Sequence, residues 1–394
     1  MALQPETRTI ILPLAVAETI IWACIFYAFP ALLLEWENST TWSKTGISGA
    51  FSAALLSSAV MAPVAGRMID RGLAKVLFTG STLAAGLLLL VLSQVQTLWQ
   101  FYLVWVGIGV CMAGCLYEPC FAVLTRALGS SARRGITTLT LIAGFAGTVS
   151  FPLLNALAEL GGWRLASGVA GALMLATAPW LVWRATTAAE SGTELTRSVV
   201  GTPESVPYRV FRNPVFWLLG LSFASIALTH GLLLTHILPL LDERGVHREA
   251  AILAASMIGP MQVAGRLAMA SVERRVSTYA VAQASFVVMG IAGLCLLGLV
   301  LQPALLVLFV VLYGSAYGVT SITRPVVIGE FMGQRDYGVI AGFLATLYLL
   351  VVALSPTLAS LLWSRFDYDA VIVLACLATL FGLICLRVAN RVRG

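Results

Sequence analysis

The sequence predicts an all-α polytopic membrane protein, with twelve transmembrane helices in two pseudo-symmetric six-helix halves. Three observations predict it. The 394-residue chain is 59% hydrophobic and 11% charged, with a mean hydropathy of +0.92, far outside the soluble norm. Apolar runs long enough to cross a hydrocarbon core recur along its whole length. The peptide Val-Ala-Gly-Arg occurs twice, at 64–67 and 263–266, with an interval of 199 residues.

In chain order the runs fall at about 10–34, 45–68, 75–95, 98–127, 136–158 and 163–184. A second set follows at about 215–241, 250–272, 278–301, 303–329, 338–362 and 368–388. The first run is too long for a leader and has eleven more behind it, so it reads as a span. A membrane barrel would show weak alternation over ten residues instead. The one long polar stretch, RATTAAESGTELTRSVVGTPESVPYRVFRNP, suits a linker with a short surface helix near Tyr208 to Arg212. The division is therefore an N-terminal bundle over 1–184, a cytoplasmic linker over 185–213 and a C-terminal bundle over 214–394. The repeated tetrapeptide closes span 2 and its equivalent, span 8. Gly114-x-x-Tyr117 in span 4 is echoed by Gly314-x-x-Tyr317 in span 10, at an offset of 200. Two echoes at offsets of 199 and 200 point to duplicated six-helix halves, a transporter architecture.

Charge sets the orientation. With the amino terminus inside, 19 of the 24 basic residues fall at inner ends and loops; Lys44, Arg164, Arg244, Arg248 and Arg365 are the exceptions. The positive-inside rule then places both termini in the cytoplasm. The net charge of +6 is accounted for by topology, and no nucleic-acid partner is expected. All seven cysteines lie inside predicted spans, against a disulfide framework. Cys111, Cys115 and Glu118 share one face of span 4, but small residues packing helix against helix explain that spacing better than a metal does. No metal and no cofactor is expected.

The stretch GRMIDRGLAK, from Gly66 to Lys75, resembles the loop between helices 2 and 3 of the major facilitator superfamily, G-x-x-x-D-R-x-G-R-[RK]. Gly66, Asp70 and Arg71 match in register. Gly72 stands one place early, and the closing basic pair is reduced to Lys75. The segment FPALLLEWENSTTWSKTGISGAFSAALL is similar to bacterial members near the monocarboxylate and oxalate–formate porter branch. The resemblance implies the major facilitator fold and a conformational latch at Asp70, with Gly66 and Arg71 supporting it. It also implies that spans 1, 4, 7 and 10 line a central cavity while 3, 6, 9 and 12 face lipid.

The ionisable residues sort the spans in the same way without reference to any family. A charge in hydrocarbon costs at least a few kcal/mol, so each one needs a reason. Spans 3, 6, 9 and 12 carry none in their interiors. Glu18 lies in span 1, Glu118 in span 4, His230 and His236 in span 7, and Arg324 in span 10. By helical rise Glu18 lies roughly 12 Å and Glu118 roughly 15 Å from the inner boundary. A carboxyl group there is either a proton carrier responsive to a nearby cation or a hydrogen-bonded fastener between helices. His230 is a third proton-coupling candidate, and His236 either faces a polar vestibule or meets an anion. The two histidines, six positions apart, point about 120° from each other and cannot share one metal. Arg324 either attracts a carboxylate or snorkels towards Glu330 and lipid phosphate. Trp22, Tyr117, Tyr317, Thr320 and Ser321 complete the candidate cavity lining.

There is no phosphate-binding glycine loop, H-E-x-x-H or G-x-S-x-G, so no enzyme is expected. The reading is a secondary active transporter of an inner (plasma) membrane of bacterial type, in contact with lipid, carrying a small organic solute by alternating access. A proton-coupled symporter of a monocarboxylate-like anion is favoured. Proton-driven export of drug-like compounds is the rival, set back because GFAGTVSFP in span 5 lacks a clear G-P-x-x-G-G run. A transporter-like sensor or lipid-handling protein is a third reading. No oligomerisation signal is visible, so a monomer is expected.

Overall fold

The structure is a computed structural model that describes residues 5–128, 132–191, 211–272, 275–332 and 337–393. It is helical from end to end, with no strand among the described residues. Eleven stretches are long and apolar enough to cross a membrane. One of them, Gly135–Glu190, runs for 56 residues and holds two crossings. They part at Gly161 and at Gly162, whose φ of 72° is a left-handed value that glycine adopts without strain. Spans 5 and 6 meet there, so twelve crossings result.

The chain divides into two compact units, Met1–Val200 and Gly201–Gly394. In the first, span 2 (Lys44–Asp70) packs on the first part of span 4 (Leu98–Cys115), and span 3 (Ala74–Leu92) packs on span 4 and on span 6. In the second, span 8 (Arg248–Val272) and span 9 (Thr278–Leu297) both pack on span 10 (Leu305–Met332). Span 7 (Pro214–Thr235) lies against span 11 (Tyr337–Arg365) and span 12 (Tyr368–Arg393), and span 9 also touches span 12. Equivalent spans thus make equivalent neighbours within each unit.

Four spans are interrupted: span 5 at residues 144–145, after Ala132–Ala143, and three others. Span 1 runs as Pro5–Ile21, widens into a π-helical turn at Trp22–Phe26, and continues as Ala28–Ser39. The Tyr27 amide reaches back five residues to the Trp22 carbonyl at 2.9 Å, and the Ser150 hydroxyl of span 5 donates to the Ala23 carbonyl at 2.8 Å. Span 4 breaks at Leu116 (φ −90°, ψ −158°) and resumes as Tyr117–Leu128. Span 7 breaks at His236 before the short helix Ile237–Glu243. Such interruptions cost backbone hydrogen bonds in lipid and persist where neighbours restore them or where a cavity needs them.

Side-chain packing locks one end of the first unit. Phe29 and Phe51 stack at 4.3 Å, Trp105 meets both edge-on, and Trp36 meets Phe101 edge-on, all of them fully buried. By contrast Leu83, Leu87 and Val91 on span 3 and Leu377, Leu380 and Ile384 on span 12 form exposed apolar stripes at helical spacing, as a lipid-facing surface requires. Cys24, Cys111, Cys115, Cys120, Cys295, Cys376 and Cys385 are all free thiols.

Several boundaries differ from the sequence reading, most of all in spans 1 and 6. Span 6 continues to Ser191, beyond the expected 184, so the first part of the segment read as linker is helical. Residues 192–210 of that linker, and with them most of the expected surface helix, lie outside the described residues. Span 1 begins earlier and ends later than 10–34, because the π turn lets it bend and run on to Ser39.

Candidate functional site

In the first unit the ionisable and aromatic candidates gather where spans 1 and 4 are interrupted. Glu18 is fully buried one turn before the π turn, beside the Cys120 thiol of span 4. Trp22 opens the π turn. Its ring lies 4.7 Å from that of Tyr117, which stacks on Phe121 at 5.0 Å and 9°. The Trp22 indole Nε1 is buried and has no hydrogen-bond partner among the described residues. The break at Leu116 places Tyr117 and Glu118 in the first turn of the helix that follows. The Glu118 side chain lies outside the described residues.

In the second unit His230, Tyr317 and Arg324 are brought into one chain of contacts. His230 is 7% exposed; its Nδ1 shares a 2.8 Å hydrogen bond with the Tyr313 hydroxyl, and its ring stacks on Tyr317 at 3.4 Å and 7°. Tyr317 and Tyr348 join hydroxyl to hydroxyl at 3.1 Å. The Arg324 guanidinium lies over the Tyr348 ring at 4.2 Å. No carboxylate pairs with Arg324 among the described residues, Glu330 included. Arg324 also forms one side of a recess whose wall is apolar, built from Leu219, Gly220 and Phe223 of span 7, Ile328 of span 10 and Leu344 of span 11.

The other candidates are placed differently. His236 is fully buried with both ring nitrogens in use, Nδ1 on the Tyr368 hydroxyl and Nε2 on the Pro356 carbonyl, each at 3.0 Å. That arrangement fastens span 7 to spans 11 and 12 and leaves no ring nitrogen for a solute. Thr320 and Ser321 turn their hydroxyls back onto their own helix, to the Ala316 and Gly318 carbonyls. This is how buried threonine and serine satisfy themselves in apolar surroundings.

The signature loop stands apart from these groups. Span 2 ends with Gly72 at φ +83°, with Leu73 N–H bonded to the Met68 carbonyl and Gly72 N–H to that of Ile69. This glycine-closed helix end explains why Gly72 comes early relative to the family pattern. Lys75 lies over the Trp183 ring at 3.9 Å and reaches the Glu190 carboxylate at 3.5 Å, tying the loop to the extended end of span 6. Gly66 has open space where a Cβ would stand, and Arg71 is exposed. The Asp70 side chain lies outside the described residues.

Three contact residues escape a reading of the sequence alone. Tyr313 shares a face with Tyr317 at a spacing of four, so its pairing was within reach. Cys120 and Tyr348 carry no such signal, because what selects them is the packing of span 4 on span 1 and of span 11 on span 10.

Two units of apolar spans, with Glu18 and His236 at helix interruptions and His230 and Arg324 within continuous helices, describe a polytopic membrane protein. The sequence matches the family model of the Major Facilitator Superfamily over residues 14–356, most of the chain, and the protein belongs to that family of transporters, which are not enzymes. Its fold is similar to that of a bacterial homologue of the human lysosomal transporter Spinster in an inward-facing, unoccupied conformation. The TM-score is 0.68 at 15% identity, over 100% of this chain and 97% of that one. The occupied form of that homologue gives a TM-score of 0.68 at 14% identity, with the same coverage. A point mutant of the nucleoside transporter NupG gives 0.69 at 13% identity, over 97% of this chain and 99% of that one. These identities speak to the fold alone. No curated protein matches the sequence.

Proposed function

We propose that this transporter is a proton-coupled symporter of a small organic anion of the monocarboxylate kind, working by alternating access. The observation that carries the reading is Arg324: a half-buried cation with no carboxylate partner among the described residues, beside an apolar recess. A guanidinium in such a place is costly unless an anion completes it at some stage of the cycle. A carboxylate matches its planar donor fork, and a short apolar tail matches the Leu219, Phe223 and Ile328 wall. Glu18, buried against Cys120, is the proton-coupling candidate in the first unit, with Glu118 and His230 beside it in that role. Trp22, Tyr117 and Tyr317 supply cavity contacts. The distribution of basic residues supports cytoplasmic termini, and the apolar stripes support a monomer surrounded by lipid in an inner (plasma) membrane.

Proteoliposomes with an imposed pH gradient test the proposal. Inward protons are expected to accumulate lactate or a related monocarboxylate, and Glu18→Gln to abolish accumulation. Absence of gradient-driven flux for every monocarboxylate overturns it. The rival, proton-driven export of an apolar compound, draws on the unpartnered Trp22 indole N–H within the Tyr117 and Phe121 stack. Expulsion of an aromatic dye in the same vesicles, with no anion flux, decides for export.

A further inference from the structure

We infer that the contacts running from Arg324 through Tyr348 and Tyr317 to His230 form the coupling element itself, so that anion and proton favour each other within the second unit. The inference rests on the anion reading above and adds to it a proton site in the second unit, beside the Glu18 step of the first, and the means by which that site is coupled to the anion.

The geometry has two cation sites on two joined rings. Arg324 occupies the Tyr348 face at 4.2 Å, the Tyr317 face is covered by His230 at 3.4 Å, and the two hydroxyls meet at 3.1 Å. The Tyr313 hydroxyl reaches the His230 carbonyl at 3.4 Å as well as Nδ1 at 2.8 Å. With its hydrogen turned to the carbonyl, the Tyr313 oxygen accepts from Nδ1–H. The Nε2 lone pair is then free, and Nε2 makes no hydrogen bond among the described residues. A proton taken from water at Nε2 turns His230 into a cation lying flat on Tyr317, a favourable cation–π arrangement.

That proton adds a second positive charge to an element already holding Arg324. The titratable groups around His230 are Tyr313 and Tyr317 from span 10, with Tyr348 of span 11 behind them. Span 12 meets span 7 through Ala375 and Thr379 beside Thr229, and through Tyr368 beside His236. Arg324 is therefore the one full charge among the described residues of this chain of contacts. In apolar surroundings two such cations repel, and a carboxylate seated on Arg324 cancels the repulsion. Anion binding then promotes protonation at Nε2, and by linkage protonation tightens anion binding by the same factor. Release of the anion on the far side expels the proton to water there, and the carrier returns unchanged. Tyr348 is a positioning residue in this scheme: it holds Arg324 and is tied to the ring on which His230 lies.

The test is equilibrium exchange of radiolabelled lactate, formate and benzoate by the full chain in proteoliposomes, at about pH 4 and about pH 8, because burial disfavours a charged imidazole and the acid arm must reach below the ordinary histidine range. Exchange needs no gradient and reports affinity directly. The wild-type half-saturating concentration is expected to be about tenfold lower at the acid pH, within the usual span of coupling between sites. His230→Gln and Tyr348→Phe are expected to exchange with a half-saturating concentration that no longer depends on pH, and to lose gradient-driven accumulation. If either variant keeps the wild-type ratio, the inference is overturned. Should Tyr348→Phe fail to elute as a single folded species, His230→Gln alone decides. A wild-type chain that exchanges carboxylates with no pH dependence overturns the coupling but leaves the anion reading intact. A wild-type chain that exchanges none of the three overturns both.

Discussion

Arg324 and Glu18 are read from opposite kinds of burial. Arg324 is half-buried and unpaired by any described carboxylate, whereas Glu18 is wholly buried beside the Cys120 thiol. A cation waiting for a partner and an acid sealed into a helix contact predict different phenotypes. Arg324→Gln is expected to raise the half-saturating concentration for a monocarboxylate about tenfold or more, since a hydrogen bond to a charged group contributes about 1.5 to 3 kcal/mol. Arg324→Lys is expected to recover only part of it, because an ammonium lacks the planar fork. Glu18→Gln is expected to leave exchange intact and abolish accumulation, as neutralising a proton carrier should. Measuring exchange and accumulation on the same vesicles separates the two, and a Glu18→Gln chain that still accumulates solute removes Glu18 from the coupling. His236 is the contrasting residue. Its two nitrogens are spent on Tyr368 and Pro356, so His236→Gln is expected to act on thermal stability and not on substrate affinity.

The two Val-Ala-Gly-Arg copies show what an element's sequence can and cannot reveal. Their equivalence was legible from their spacing, as were the twelve spans and their grouping, because bilayer thickness and residue transfer costs act on local composition. Their different packing was not. At Gly265 a Cβ would come within 2.4 Å of the Ser315 carbonyl of span 10, whereas at Gly66 it would meet nothing within 4 Å. Gly314 and Gly318 continue the same tight contact, against Met261 and Gln262. Spans 8 and 10 therefore approach through glycine, the way helices associate in lipid when small residues let backbones close. Gly265→Val is expected to destabilise the protein by about 1 to 3 kcal/mol, the usual cost of overpacking, and Gly66→Val by less than about 1 kcal/mol. Thermal unfolding in detergent checks both, and equal losses contradict the packing argument. The breaks in spans 1 and 4 were equally hidden, since neither Trp22 nor Leu116 is a helix breaker. They depend on partners far along the chain, such as the Ser150 hydroxyl at the Ala23 carbonyl.

At the scale of the whole molecule the duplicated design is unequal at its loops. The first unit joins spans 2 and 3 through a glycine-closed turn at Gly72 and ties it to span 6 through Lys75, Trp183 and Glu190. Its tetrapeptide runs on to Asp70, a full charge, while the second copy has Met269 at the corresponding position, 8% exposed and packed as core. A buried methionine stabilises one unit, whereas a charged residue on an anchored loop is suited to stabilise one state of a transport cycle over another. An equilibrium between two states responds steeply to such a bias, since about 1.4 kcal/mol changes their ratio tenfold. Asp70→Asn is therefore expected to cut the maximal rate of gradient-driven uptake about tenfold, with the unfolding temperature little changed. Met269→Ala is expected to do the reverse, lowering the unfolding temperature through a lost buried side chain while the rate per folded molecule stays within about twofold. Lys75→Ala frees the anchor without touching Asp70 and is expected to fall between them, slowing uptake less than Asp70→Asn does. Rates normalised to folded protein, set beside the unfolding temperatures, test all three. If Asp70→Asn and Met269→Ala slow uptake equally, the loops are equivalent and the latch is not confined to the first unit.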